Sequence, residues 1–246
     1  MEFHFIMKVN MNKIPFVVLG VSLLCSLTTH AQSQFNGLAF QVGMGYEAAS
    51  ARVNNEVFNA DGNGYMAQGA WGVNANVSRP SGLDVPFSIL YMKSMGSEYS
   101  LGVGLDAIPK KRNFIDASTA PSAQNGGGDF VFPVSTSSVK NRYNIYLMPA
   151  YNLSAEREVY AKLGYSMAQF VNNDGSGDNA KLKGYLLGLG YKFMLNSQAY
   201  LFVEGDYTTM KSNKVIGADP EFTSAKYSYD VSGYTVNAVA GVGYRF

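Results

Sequence analysis

The 246-residue chain contains one cysteine, two histidines and one tryptophan, and only 15% of its residues are charged. Each scarcity excludes something. A single Cys, Cys25, closes no disulfide, so the chain cannot be stapled in an oxidising compartment. His4 and His30 both lie near the N-terminus, so the remaining chain has no imidazole to act as general base or metal ligand. Beyond the N-terminus no stretch approaches the roughly 20 apolar residues of a membrane-spanning helix.

The N-terminal segment reads as an address. Lys8 and Lys13 precede an apolar run from Ile14 to Leu27, and Thr29-His30-Ala31 supplies small residues at the two positions a signal peptidase reads. Residues 1–31 are therefore expected to be a cleaved signal peptide and residues 32–246 the mature domain. Cys25 follows the bulky Leu24, which argues against a lipidation site. Removal of the segment takes with it Cys25, both histidines, Lys8, Lys13 and Glu2. Seventeen acidic and seventeen basic residues remain, and that balance argues against nucleic acid as a partner.

What is abundant is glycine, at 26, and tyrosine, at 17. From Phe35 onward apolar residues recur at every second position, the period of strands with two unlike faces. At the C-terminus Tyr234, Val236, Ala238, Ala240, Val242, Tyr244 and Phe246 share one face, opposite Gly233, Thr235, Asn237, Gly241, Gly243 and Arg245. Similar alternation falls around 38–47, 67–77, 99–106, 142–152, 159–167, 185–193 and 201–207, giving eight expected strands. Residues 153–157 and 194–198 are expected to be tight turns. Residues 48–64, 109–138, 172–180 and 209–228 are expected to be longer loops on the opposite side. Residues 79–97 fit this scheme poorly: a short turn is due there, yet the stretch is long and apolar (Val85 to Met92). A periplasmic excursion, an extended hairpin or a ten-stranded barrel would each account for it.

Tyr and Phe punctuate both ends of the apolar face, as in the interfacial girdles of a membrane barrel. Tyr151, Tyr191, Phe193, Tyr244 and Phe246 fall at one end, and Tyr46, Tyr143, Tyr185, Tyr207 and Tyr234 at the other. The expected fold is thus all-β: an antiparallel up-and-down transmembrane barrel of eight strands with its apolar face toward lipid. A soluble barrel would reverse the two faces, and period two alone does not say which is wet.

The ending Gly241-Val242-Gly243-Tyr244-Arg245-Phe246, with an aromatic as last residue, resembles the assembly signal of outer-membrane proteins, carried here by Tyr244 and Phe246. Gly188-Leu189-Gly190-Tyr191-Lys192-Phe193 repeats it one hairpin earlier. With the leader and the strand pattern, nearly all of residues 35–246 resembles the eight-stranded opacity-porin group, related to the membrane domain of outer-membrane protein A. The resemblance implies residence in a Gram-negative outer membrane, contact with its lipids and lipopolysaccharide, recognition of the last strand by the barrel assembly machinery, and a monomer. No peptidoglycan-binding domain is expected after the final strand.

The polar face carries the candidate site. Glu47, Asp106, Glu204 and Asp206 share the expected lumen with Arg142, Lys162, Lys192 and Arg245, four of each sign. Charges in so narrow an interior need partners. A plugging ion-pair network is the reading favoured by the small bore of eight strands; a narrow gated channel is the alternative. A lipid-modifying enzyme would want a His that the mature chain lacks, and no catalytic residue, metal or cofactor is expected. Glu204 and Asp206, two apart on one face, suit ion pairing better than proton sharing. Residues 172–178 (NNDGSGD) have the oxygens of a calcium loop without its spacing, and Lys110-Lys111-Arg112 is expected at the start of the longest loop, either near the anionic lipopolysaccharide surface or as a solvated loop base. Specificity is expected to reside in the outer loops, in a structural, adhesive or surface-interaction role.

Overall fold

The computed structural model describes residues 34–59, 69–71, 76–77, 80–117, 135–172, 179–212, 215–218 and 226–246. Residues 1–33, with Cys25 and both histidines, lie outside the described residues, as do residues 173–178 of the calcium-like loop. In chain order the strands are β1 (Gly37–Asn59), β2 (Gly69–Trp71), β3 (Asn76–Val77), β4 (Ser81–Asp84), β5 (Phe87–Ser94), β6 (Tyr99–Ala117), β7 (Ser135–Ser154), β8 (Arg157–Asn172), β9 (Asn179–Met194), β10 (Ala199–Ser212), β11 (Val215–Ala218) and β12 (Lys226–Arg245).

All pairings are antiparallel, and the sheet closes on itself. From β5 the ladder runs in chain order through β6, β7, β8, β9 and β10 to β12, which pairs with β1 from Ala39↔Arg245 to Asn59↔Lys226; β1 then pairs with β5. β4 and β5 are one strand in register: Ala48↔Ser81, Gly45↔Asp84, Val42↔Phe87 and Gly37↔Met92 keep a constant offset against β1. The assignment breaks at Pro86 because proline has no N–H to give, although its carbonyl still accepts from the Gly43 N–H at 3.0 Å. Eight strands therefore form the ring, counting β4 and β5 together.

The count agrees with the sequence reading, but the identity of the second strand does not. The expected strand at 67–77 contributes only the short β2 and β3, which extend the outer ends of β1 and β6; residues 72–75 lie outside the described residues. The true second strand is the stretch that read as an anomalous connection. The turn after it shrinks to residues 95–98, matching the tight turns at 155–156 and 195–198. All three lie at one end of the barrel with Gly37 and Arg245. By the asymmetry of outer-membrane barrels this is the periplasmic end.

Several strands also outrun the expected loop boundaries. β1 has 23 residues, β7 and β12 have 20 each, and β6 has 19, against the 9–11 that cross a bilayer when tilted. The surplus projects beyond the outer girdle. Lys110, Lys111 and Arg112 thus belong to strand β6, not to a loop base, and Arg112 turns inward.

Burial settles which face is which. Leu187, Leu189 and Val203 are 55%, 72% and 52% exposed, whereas Lys162 and Lys192 are each 1% exposed. The apolar belt points out and the charges point in, the reverse of a soluble barrel. At the periplasmic rim Tyr99 packs edge-on against Tyr151 (5.4 Å between centroids) and Tyr244 against Phe246 (5.2 Å). At the outer rim Tyr207 stacks on Tyr234 (5.9 Å) and Tyr165 meets Tyr185 edge-on (6.1 Å). These rings stand where an apolar slab meets its two aqueous boundaries.

Candidate functional site

The lumen is layered along its axis, and each layer follows from residues of inward parity. The periplasmic layer is a packed core. Leu90, Met92, Tyr146, Met148, Tyr160, Leu186, Tyr200 and Phe202 are buried together with Phe35, which folds in from the N-terminal side of β1 and meets Tyr200 edge-on at 5.6 Å. Such rings fit in eight strands because each sits opposite glycine. Tyr160 pairs in register with Gly190, Tyr200 with Gly243, and Tyr146 with Gly104. A Cβ built on Gly190, Gly243 or Gly104 would stand 2.2, 2.2 and 2.4 Å from the Cζ of the facing ring. The glycines that give the inner wall its plain character are sockets, the arrangement known as aromatic rescue.

Within this core Lys192 is fully enclosed. Its ammonium bridges to Glu158 Oε1 at 2.9 Å and lies 4.6 Å from the Tyr160 ring centre and 5.6 Å from that of Phe35. Glu158 and Lys192 are register partners, so the pair is set by the β8–β9 ladder itself.

Above it comes the middle ionic layer. Lys162 reaches both Glu204 (2.9 Å) and Asp106 (3.4 Å) and stands 4.6 Å over the Tyr146 ring. Tyr160 donates its hydroxyl to Glu204 at 2.8 Å, tying this layer to the core below. Asn144 donates to Asp106 at 3.4 Å. Asp206 lies beside Lys162: a Cβ on Gly188 would touch both Asp206 Oδ1 and Lys162 Cβ.

Higher still, at the level of the outer girdle and above it, a second set of charges lines a small vestibule of about 50 Å³. Arg142 pairs with Glu47 and donates to Thr235 Oγ1 at 3.0 Å. Arg112 reaches Glu47 at 3.3 Å and Asp84 at 2.9 Å, and Lys110 reaches Asp84 at 3.2 Å. The opposite wall is apolar: Leu182, Met210 and Val231, packed with Ala168 and Phe170. A bulge shapes the charged wall. Asn141 has φ 53°, a left-handed conformation that Asn tolerates, and the register of β7 slips there against both β6 and β8. Past the bulge the parity of β7 changes: Val139, opposite Arg112 and Phe170, turns into the bore, while Lys140 pairs with the exposed Lys111.

Seven of the eight residues singled out from the sequence therefore turn into the bore, in two separate groups rather than one network: Asp106, Lys162, Glu204 and Asp206 at mid-height, Glu47 and Arg142 above them, with Lys192 alone below. Arg245 departs from the expectation. It lies at the periplasmic rim and donates to the backbone carbonyls of Asn36 (3.0 Å) and Ser197 (2.7 Å), bracing the chain start against a turn. Sequence reasoning missed Glu158, Asp84, Arg112 and the inward tyrosines. Glu158 and Tyr160 have the same parity as Lys162, so period two carried the signal; Asp84 and Arg112 were hidden in segments read as connections.

One seam uses these missed residues. Outward of Phe87↔Ala107 the backbone ladder between the second strand and β6 stops: β4 pairs with β1 and, among the described residues, not with β6. Side chains span the gap. Arg112 holds the Gly82 carbonyl at 3.3 Å as well as Asp84, and Lys110 joins it on Asp84.

No protein-family profile matches the sequence, and no curated relative does at a significant score. Solved structures do. The chain is similar to the outer membrane protein OprG from Pseudomonas aeruginosa, with 18% identity and a TM-score of 0.56 over 88% of this chain and 99% of that one. It is also similar to the outer membrane protein AlkL, solved in lipid bilayers, with 16% identity and a TM-score of 0.52 over 89% and 93% of the two chains. At such identities the likeness speaks for the fold, and the outward apolar belt between two aromatic rims supplies the physical reason for the location. The chain is a small outer-membrane β-barrel: all-β, antiparallel, up-and-down and closed in a ring.

Proposed function

We propose that this barrel is a sealed one, working at its outer end in surface interaction rather than as an open pore. The observation that carries the reading is the seating of Tyr146, Tyr160 and Tyr200 on facing glycines, with the Lys192–Glu158 pair enclosed among the rings. A bore so filled leaves solutes no ready path, because interiors packed to this density yield little without losing contacts. The mid-height ions add to the seal, since a buried ammonium held by two carboxylates is costly to release. The long outer strands then present the loops and the vestibule to the surroundings. The belt meets the membrane lipids, the exposed Lys111 faces lipopolysaccharide, and the barrel acts as a monomer without a cofactor. The reading is non-catalytic, because the chain after its leader offers no His or Cys as base or nucleophile.

The test is conductance. Purified protein reconstituted in planar bilayers is expected to show no steady current, and large stable channels would reject the seal. Cells expressing it should then gain no permeability to small hydrophilic solutes, while surface binding depends on the outer loops.

A further inference from the structure

We propose that the outward face of β6–β10 holds one phosphorylated lipid of the outer leaflet, with its phosphates on Lys140, Lys181, Lys183 and Lys211 and an acyl chain in the groove over Ala107. The inference rests on the reading that this end meets lipopolysaccharide, which it deepens, and it does not need the seal to hold.

Register is the first argument. Two cross-strand rows lie on the outer surface, one step apart along the barrel. The lower runs Phe87, Ala107, Tyr143, Met167, Lys183 and Lys211 across β5 to β10. The upper runs Lys111, Lys140, Gln169 and Lys181 across β6 to β9. Lys111, Lys181, Lys183 and Lys211 are exposed, and Lys140 is half-buried. The ladders thus set these lysines within four strand spacings, about 20 Å, at and just outward of the tyrosine girdle.

Charge is the second. Lys183 faces Lys211 directly, as Lys111 faces Lys140, and like charges so placed repel. Lys140, Lys181, Lys183 and Lys211 have no ion pair among the described residues, and none of these describes a carboxylate on the outward face of β6–β10 at this height. Asp230, of outward parity on the adjacent β12, already has a partner. Inside the bore the chain gives Lys162, Lys192 and Arg142 carboxylates of their own. On the outer strip the counter-charge has to come from outside. An ammonium at a membrane boundary lays its stem along apolar surface and offers its head to phosphate.

Third, an apolar groove lies beneath the bases. Ala107 has the smallest side chain of the lower row, between Phe87 and Tyr143. With Ile145 and Met167 these residues line a groove of about 300 Å³ on the lipid-facing surface. Lys111 and Lys140 stand on the same two strands as Ala107 and Tyr143, just outward of the groove. A headgroup held by the lysines therefore hangs a chain over Ala107. A soluble anion would leave the groove empty, and a neutral lipid would leave the bases unmatched.

The experiment offers the full mature barrel, in mixed micelles, equal amounts of bisphosphorylated lipid A and its dephosphorylated form. Native mass spectrometry counts what is retained. A single copy of the phosphorylated form is expected, preferred roughly tenfold or more, and Lys183→Gln/Lys211→Gln should weaken its retention about fivefold per charge. Lys181→Gln tests the same strip alone should the double variant not fold. Ala107→Phe should fill the groove and weaken retention severalfold with every lysine in place. Lys93→Gln, which removes an exposed base at the periplasmic end, should change nothing. The proposal is overturned by equal retention of the two lipids, by a loss that Lys93→Gln matches, or by full retention in the folded Ala107→Phe or lysine variants. Current through the bilayer tests the seal separately, so either idea can fail alone.

Discussion

Tyr160 and Gly190 face each other across the β8–β9 ladder, so that a methyl group on Gly190 would lie 2.2 Å from the tyrosine ring. The ring hydroxyl goes on to Glu204, and the ring face receives Lys192 at 4.6 Å. One residue thus closes the bore, positions a carboxylate and shields an ammonium. Gly190→Ala should overpack this contact and cost about 1–3 kcal/mol of unfolding free energy. Tyr160→Ala should instead open the lower lumen and introduce measurable ion conductance. Urea unfolding followed by the gel shift between boiled and unboiled samples checks the first. Bilayer recording checks the second, and a silent Tyr160→Ala barrel that still folds would count against the ring as a seal.

The Lys192–Glu158 pair is enclosed on all sides, so removing one partner should cost more than removing both. Lys192→Met leaves Glu158 as an uncompensated buried charge and should cost about 3–5 kcal/mol. The double variant Lys192→Met/Glu158→Gln should recover most of that loss. The measurement is a double-mutant cycle on reversible unfolding in lipid. Additive losses would show that the pair is not coupled as its 2.9 Å contact requires.

At the seam between β4 and β6, Asp84 does the work that a backbone ladder does elsewhere in the ring. Asp84→Ala frees Lys110 and removes one of Arg112's three contacts, while Glu47 and the Gly82 carbonyl still hold Arg112. A loss of about 1–3 kcal/mol is expected, that of a charged hydrogen bond rather than of a whole buried pair. It should be local: amide exchange should quicken over Gly82–Asp84 and stay slow over Phe87–Ser94. Uniform quickening around the barrel would remove the special role of this seam.

How far the sequence led is clearest where it misled. Alternation located seven of the eight ring strands because their inward positions carry Gly, Ser and charge, so period two stays visible. In the second strand the inward positions include Leu90 and Met92, which belong to the internal core, so both faces are apolar and the stretch reads as a continuous run. Pro80 and Pro86 added a break signal at the same place. Each proline costs this strand one bond to β1, because its missing N–H faces the same partner, Ala49 or Gly43, from which its carbonyl still accepts. The ionic residues were legible by parity, but their division into layers was not. Height along the bore depends on stagger between strands, which no single strand's sequence encodes. Arg245 shares the inward parity yet lies at the rim because it is the last residue of β12, beside the turn at 195–198.

The belt makes a direct prediction about solvent. Spin labels at Leu187, Val203 and Val242 in the reconstituted protein should be accessible to oxygen dissolved in lipid and shielded from an aqueous relaxation agent. Labels in place of Ser166 or Thr208, both buried in the bore, should show low access to both. Water-exposed labels at the three outward positions would leave no membrane reading standing, because period two permits either face to be wet.

Phe246 separates a folding role from a recognition role. Its ring is 72% exposed and touches Tyr244 edge-on, while its main-chain N–H donates to the Leu38 carbonyl at 2.9 Å, a bond that any residue could make. Truncating the ring should therefore change unfolding free energy by no more than about 1 kcal/mol, the worth of one exposed aromatic pair. If the C-terminal aromatic is read by the assembly machinery, the same Phe246→Ala variant should nonetheless reach the outer membrane of cells at a severalfold lower level than the parent. The comparison is between refolding yield from urea into lipid, expected to be unchanged, and the amount of heat-modifiable barrel in isolated outer membranes. Equal losses in both would make Phe246 a stability residue, and equal retention in both would remove Tyr244 and Phe246 from any role in assembly.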